Sequence, residues 1–301
     1  MLDSTFTGDG VNVAVIDLGV PEELNLKPGK YTMIDTTTNN HSTVITSIIG
    51  GTSGIAEDVH FYCTINNPYL VNHCNMLIDT YNVNIINVSL GYAIVGYYTN
   101  YDSCIDHIVS TTGCTYVTSS GNDGELTRLI SAPGCAMNAI TVGSINYDYN
   151  VSSFSSWDVV DSFLYKPDVV APGERLYDIP NLNNGDEGHS GTSYAAPMVV
   201  GTLALLMEEF PILKINPALV KSVLHLGAEK LPSQTNYYDE QAGFGIVNYQ
   251  NMRNCLLSTN YSNFAMSTTA VEGDTVLSYP ITLSYLDQIF INANSIVNSS
   301  N

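Results

Sequence analysis

The stretch GHSGTSYAAPMVVGTLALLMEEFP, Gly188–Pro211, joins a glycine-broken loop to an apolar helical run. Ser193 lies at the junction, and Pro197 falls near the first turn of the helix, where backbone N–H groups lack helical acceptors. A serine in this position has two interpretations. It is either the N-cap of the helix or a nucleophile in the positive field of the helix amino end. The second interpretation requires a base and a group that orients the base elsewhere in the chain.

The composition describes a folded and strongly acidic chain. Of 301 residues, 45% are hydrophobic, and 9 Lys and Arg stand against 29 Asp and Glu, a net charge of −20. Such a surface disfavours binding of nucleic acid and anionic lipid and favours binding of cationic partners. The alternative is that the charge only keeps the protein soluble. The chain opens without a signal-like segment, and no uninterrupted apolar run reaches the length of a membrane span. We therefore expect a cytoplasmic protein that binds neither nucleic acid nor membrane.

Apolar strand-like runs alternate with helical runs along the chain. The strand-like runs are Val11–Asp17, Val83–Leu90, Cys114–Ser120, Ala139–Ile145 and Asp168–Val170. The helical runs are His41–Gly51, Tyr101–Thr111, Tyr194–Glu209 and Asn216–Leu226. Because the strands are apolar throughout, the pattern predicts an α/β fold with a mainly parallel central sheet and helices on both faces. Sites in such sheets lie at the carboxyl ends of the strands.

The character of the sequence changes after residue 258. Residues 1–258 carry the alternation of strands and helices and are expected to form one domain. Residues 259–301 are rich in Ser, Asn and Thr, and we expect a C-terminal extension with a strand or two and then a frayed tail.

Three polar residues are the possible partners of Ser193. Asp17 ends the first strand, His41 opens the first helix, and Asn122 follows a strand within SSGNDG. Taken singly, they are explained as a turn residue, a helix-entry residue and part of an ordinary turn. Taken together, they offer a carboxylate, a base and an amide donor for acyl transfer by Ser193.

In this order of Asp, His and Ser, the sequence resembles the subtilisin-like serine proteases. The resemblance covers about residues 8–256 and is carried by six segments: VAVIDLG (13–19), HSTVITSIIGG (41–51), NVSLG (87–91), SSGNDG (119–124), APG (171–173) and GTSYAAP (191–197). It implies the subtilisin-like fold, with 1–258 as the catalytic domain. It also implies that Ser193 is the nucleophile, His41 the base and Asp17 its orienting carboxylate, with Asn122 and the Ser193 N–H as oxyanion donors.

The resemblance implies a substrate-binding set as well. Its members are Ser89, Leu90, Gly91, Ser119, Ser120, Gly121, Asp123, Ser131, Ala132 and Pro133. The hydroxyls of Ser119, Ser120 and Ser131 predict a polar residue such as Gln before the scissile bond, or a basic residue drawn by Asp123. The alternative is a broad apolar preference. No cofactor is implied. The calcium loop of many relatives is replaced by GGTSGIAEDVHFY, so we expect no metal site, with Glu57 and Asp58 as surface charges.

The sequence departs from the family pattern at two positions near the site. Leu18 stands where the family has Ser or Thr, and Ser42 stands where it has Gly, so the support of Asp17 and His41 is expected to differ. The substrate is expected to be a peptide or protein. The short layout favours selective processing of a precursor peptide, such as removal of a lantibiotic leader. The alternatives are a general intracellular subtilisin for protein turnover and a catalytically silent scaffold.

Overall fold

The computed structural model describes residues 5–66, 70–124, 129–160, 164–177, 179 and 188–258. The extension predicted for 259–301 lies outside the described residues. The strands are β1 (Asn12–Asp17), β2 (Tyr31–Met33), β3 (His60–Ile65), β4 (Ile85–Val88), β5 (Tyr92–Val95), β6 (Thr115–Ser119), β7 (Ser131–Ala132), β8 (Ile140–Ile145), β9 (Asp158–Val160), β10 (Leu164–Lys166) and β11 (Val169–Pro172). The helices are α1 (Asn40–Gly50), α2 (Leu70–Tyr81), α3 (Asn100–Thr112), α4 (Thr192–Glu209), α5 (Pro217–Gly227) and α6 (Tyr249–Ser258).

Seven of the strands form one parallel sheet in the order β11-β8-β6-β4-β1-β3-β2. Both faces of this sheet are covered. In β1, Val13 and Val15 join the core formed with α1, α4, α5 and α6, whereas Ala14 and Ile16 join the core formed with α2 and α3. Strands buried on both faces need apolar residues at every position, which explains the continuous apolar runs in the sequence. The predicted α/β fold is confirmed.

Helix α4 is the central helix of the larger core. It packs against α1, α6 and the four strands β4, β6, β8 and β11. The sequence places Pro197 near the first turn, but a helix that begins at Thr192 makes it the sixth residue. Proline has no backbone N–H, so the helical hydrogen bond between Pro197 and the carbonyl of Ser193 is missing.

A buried ionic cluster joins the amino ends of β8 and β11, at the opposite edge from the carboxyl ends of the strands. Asp168 Oδ2 accepts hydrogen bonds from Lys166 Nζ (2.7 Å) and from the backbone N–H of Thr141 (2.8 Å). Its other oxygen, Oδ1, lies 3.0 Å from Lys221 Nζ and 3.1 Å from His225 Nε2. Burial alone would raise the pKa of Asp168, but the two ammonium groups and His225 outweigh it and hold that pKa well below its usual range.

We expect Asp168→Asn to destabilise the fold by about 3–5 kcal/mol, because it leaves two buried or half-buried lysines without their carboxylate. Since the pKa of Asp168 is lower in the fold, its contribution is full above the unfolded value of about 3.9 and is lost as the pH falls toward the folded value. Urea unfolding measures the effect. Asp148→Asn, in an exposed turn, is the control; a loss below about 1 kcal/mol for Asp168→Asn would contradict the role of the cluster.

Candidate active site

Asp17 and His41 meet at the carboxyl end of β1. Asp17 is fully buried, and His41 Nδ1 lies 2.9 Å from Asp17 Oδ1 and 3.0 Å from Oδ2. The start of α1 fixes the histidine, because the N-cap Asn39 accepts a hydrogen bond from the His41 backbone N–H at 2.8 Å. A carboxylate accepts from Nδ1–H, so the ring presents Nε2 as the free acceptor.

Leu18 changes how the carboxylate is supported. Its side chain is 58% exposed, and its backbone N–H donates to Asp17 Oδ1 at 2.6 Å. The side-chain hydroxyl is absent as expected, and the donor at this position is the backbone N–H, which any residue other than proline would supply. Ser42 is fully buried in α1, and its Oγ has no hydrogen-bond partner among the described residues.

Ser193 is not the N-cap of α4. The N-cap is Gly191, which has no side chain, and Ser193 is the second helical residue. Its Oγ donates to the carbonyl oxygen of Ser89 at 3.0 Å. Ser89 directly follows β4, so the helix amino end and the carboxyl end of a central strand meet at this hydroxyl.

Asn122 is oriented by the first residue of α4. Its Oδ1 accepts from the backbone N–H of Thr192 at 2.9 Å and from the Thr192 hydroxyl at 3.0 Å. Because both donors bind the oxygen, the amide Nδ2 is the atom left to donate, and it lies near Gly191. A Cβ at Gly191 would lie 3.5 Å from this nitrogen, so the glycine leaves the space beside it open.

Tyr194 connects Ser193 to the histidine. Its ring centroid lies 5.5 Å from that of His41, at an angle of 53°, and 5.5 Å from that of His189, at 62°. Burial raises the pKa of Tyr194, and the charge of Asp17 adds to this, so the ring stays a neutral packing surface. Sequence reasoning missed both rings. The aromatic residue next to Ser193 was the available signal, but the contact depends on the loop that carries His189.

The predicted substrate-binding residues gather around the ends of β4, β5, β6 and β7. Strands β4 and β6 are neighbours in the sheet, with Val88 opposite Thr118, so the segments 89–91 and 119–122 leave the sheet side by side. Strand β7 pairs antiparallel with β5, Tyr92 opposite Ala132, which brings 131–133 to the same place. Ser89, Ser119, Ser120, Ser131, Ala132 and Pro133 are buried, Leu90 and Gly121 are half-buried, and Gly91 and Asp123 are exposed.

Ser156 also belongs to this cluster, although the sequence did not indicate it. Its Oγ accepts from the backbone N–H of Asp123 at 3.1 Å, and its N–H donates to the Gly121 carbonyl at 3.0 Å. The Asp123 loop is therefore tied down by its backbone.

Glu57 and Asp58 both pair with a lysine. Lys27 Nζ lies 3.2 Å from Glu57 Oε2 and 3.0 Å from Asp58 Oδ1, in agreement with their expected place as surface charges. Across the described ranges, no group of three or more His, Cys, Asp or Glu side chains is arranged to hold a metal ion. None of the helices in the described part of the chain is both long and apolar enough to cross a membrane.

Comparison with known proteins identifies the family. The profile of the subtilase family matches residues 8–245. The chain is 29% identical over 271 residues to subtilisin-like protease SBT6.1 of Arabidopsis thaliana, covering 79% of this chain and 25% of that protein. It is also 29% identical over 274 residues to subtilisin NAT of Bacillus subtilis subsp. natto, covering 81% of this chain and 66% of that protein. The chain thus spans about a quarter of the plant relative's length.

Solved structures share the fold. The prenylagaramide maturation protease PagA superposes with a TM-score of 0.67 at 24% identity, over 80% of this chain and 92% of its own. The self-cleaved protease domain of PatA superposes with a TM-score of 0.68 at 22% identity, over 85% of this chain and 100% of its own. At these identities the likeness concerns the fold. Together with the match over residues 8–245, it leads to one conclusion: this chain belongs to the subtilase family of serine endopeptidases.

Proposed function

We propose that this chain is a serine endopeptidase in which Ser193, His41 and Asp17 form the catalytic triad, and that it processes a particular precursor peptide. The observation that carries the proposal is the contact of His41 Nδ1 with both oxygens of the buried Asp17. The ring of Tyr194, the residue after Ser193, lies 5.5 Å from the His41 ring.

The first step is attack of Ser193 Oγ on the peptide carbonyl carbon. His41 Nε2 takes the hydroxyl proton as the C–O bond forms, and Asp17 stabilises the resulting imidazolium. Asn122 Nδ2 and the Ser193 backbone N–H donate to the oxyanion. The C–N bond then breaks, and His41 gives its proton to the leaving amine. A water molecule, deprotonated in turn by His41, hydrolyses the acyl-enzyme and restores Ser193.

Substrate binding would release the nucleophile from its resting contact. In the structure the Ser193 hydroxyl donates to the Ser89 carbonyl at 3.0 Å. A substrate strand that pairs with 89–91 offers a backbone N–H to that carbonyl. The serine hydroxyl then turns to His41 as its remaining acceptor.

We propose further that the substrate is a cationic precursor peptide, of which a lantibiotic leader is one example, and that the enzyme works in the cytoplasm. Charge supports the first part. Several of the few basic residues are already paired with carboxylates, Lys27, Lys30, Lys166, Lys221 and Arg253 among them, so the excess of acidic groups is left to attract a basic partner. The structural neighbours are named as maturation proteases.

Two experiments separate this proposal from its alternatives. A fluorophosphonate probe should label Ser193, whereas a silent scaffold would not react. Unfolded casein should be cut poorly and a few members of a diverse peptide library cut well, as read by mass spectrometry. Broad digestion of casein would favour an enzyme of general protein turnover instead.

Asn122→Ala should lower kcat about 10²–10³-fold and leave KM nearly unchanged, because an oxyanion donor acts mainly in the transition state. Steady-state kinetics on one cleaved peptide measure both constants. The melting temperature is measured alongside, since Thr192 loses its acceptor in this variant. An effect on KM alone would demote Asn122 to a binding residue.

A further inference from the structure

We propose that the pocket for the side chain before the scissile bond is shallow and accepts only small residues, Gly, Ala or Ser, because Ser131 closes its floor. The inference rests on the proposed peptidase function and names the substrate class for it. It replaces the expectation of a Gln or a basic residue.

The position of the pocket follows from the site. The reacting carbonyl must lie between Ser193 Oγ and Asn122 Nδ2. Ser193 Oγ is held on the 89–91 side by the Ser89 carbonyl, and Asn122 belongs to the 119–122 side. The side chain attached next to that carbonyl therefore enters between these two segments. Gly91 and Gly121 have no side chains, so they leave open the space between the two segments. This space is called the passage below.

Ser131 occupies that passage. A Cβ built on Gly91 would lie 2.6 Å from Ser131 Cβ and 3.0 Å from its Oγ. A Cβ built on Gly121 would lie 2.7 Å from the same Oγ. The Ser131 side chain thus lies against the Cβ positions of both glycines, and it narrows the space between them that a branched or aromatic group would need.

The backbone holds Ser131 in this position. Its N–H donates to the Ser120 carbonyl at 3.1 Å, and its own carbonyl accepts from the Gly134 N–H at 2.7 Å. The residue is 8% exposed and lies in β7, which is paired with β5. These bonds fix the backbone of Ser131 and with it the Cβ, so substrate binding cannot move the Cβ away from Gly91 without breaking them.

Ser156 closes the next layer. Its Oγ lies 3.0 Å from the Cβ position of Gly121 and receives the Asp123 N–H at 3.1 Å. Asp123 itself is exposed. A long basic side chain would have to pass Ser131 to use the pocket. The hydroxyl that was expected to pair with a Gln side chain instead fills the space that such a side chain needs.

The test is a peptide series that differs only before the scissile bond: Gly, Ala, Ser, Gln, Arg, Leu and Phe. For the wild-type protein we expect kcat/KM to be highest for Ala or Ser and at least about tenfold lower for Leu and Phe. Ser131→Gly should raise kcat/KM for Leu relative to Ala by at least about tenfold, because it reopens the passage. Ser131→Ala removes the Oγ that lies against Gly121 but keeps the Cβ that lies against Gly91, so its ratio of kcat/KM for Leu to that for Ala should fall between those of the wild type and Ser131→Gly.

The two proposals fail in different ways. The rate of fluorophosphonate labelling of Ser193, measured for all three proteins, reports whether each active site is folded and reactive. Absent labelling of the wild type would overturn the peptidase function. Normal labelling with Leu, Phe, Gln or Arg ranked first, or a Ser131→Gly variant that labels normally and keeps the wild-type ranking, would overturn the shallow pocket alone.

Discussion

Ser193→Ala is expected to lower peptide hydrolysis by about 10⁶-fold while the protein stays folded. The magnitude is the loss found when a subtilisin loses its nucleophile, and it follows here from the removal of the only atom that attacks the carbonyl. Stability should change little, because Gly191 and not Ser193 caps α4, and because alanine favours a helix. Among the described residues, the hydrogen bond lost is the one that the Ser193 hydroxyl donates to the Ser89 carbonyl.

The kinetics and the thermal melt of Ser193→Ala are compared with those of Ser110→Ala. Ser110 lies on α3 and hydrogen-bonds within its own helix, to the His107 carbonyl at 2.9 Å. This control should keep the wild-type turnover. Retained turnover in Ser193→Ala would show that another residue is the nucleophile.

Asp17→Asn should reduce kcat by about 10⁴-fold, the second largest effect that the site implies. The asparagine fits the same space, and its oxygen still accepts from the Leu18 N–H. It supplies no negative charge to the imidazolium, however, and its NH₂ group favours the wrong tautomer of His41. The melting temperature should fall less than it would for a larger substitution.

Asp35→Asn is the matched control for the loss of a carboxylate. Asp35 accepts from Thr64 Oγ1 at 2.7 Å and from the Ile65 N–H at 2.8 Å, at the carboxyl end of β3 next to β1. These bonds hold the pKa of Asp35 below its usual value, so its replacement should cost stability but leave kcat within about tenfold. Equal losses of kcat in both variants would assign the effect to disturbance of the sheet edge.

The large elements could be predicted from the sequence because each has a local cause. The apolar run of β1 and the long apolar α4 appear in the sequence within a few residues of their observed bounds. Helix α2, Leu70–Tyr81, was missed although Cys74, Leu77, Ile78 and Tyr81 recur at helical spacing and were an available signal. The short strands β7 and β9 have two and three residues, which is too few to show a period, and β7 pairs with β5, a strand that is distant in sequence.

The site shows the same division. Asp17, His41, Asn122 and Ser193 could be predicted because the chemistry calls for those residue types at the ends of particular elements. The closed floor at Ser131 could not be found, because it depends on distances among three segments that are separate in sequence. From the sequence, Ser131 is interpreted as a hydrogen-bond partner for the substrate. In the fold, the volume of its side chain limits the size of the substrate side chain that the pocket accepts.

The central position of α4 has a consequence for how long such an enzyme survives among its own copies. A peptidase chain becomes a substrate when its backbone opens, and α4 packs against four strands and two helices of the core. Local unfolding that disrupts this core moves α4 and with it Ser193. A molecule that becomes susceptible to cleavage therefore loses its own peptidase activity. Autolysis then needs one intact molecule and one opened molecule. Its rate depends on the product of the two concentrations, and dilute solutions should retain activity longest.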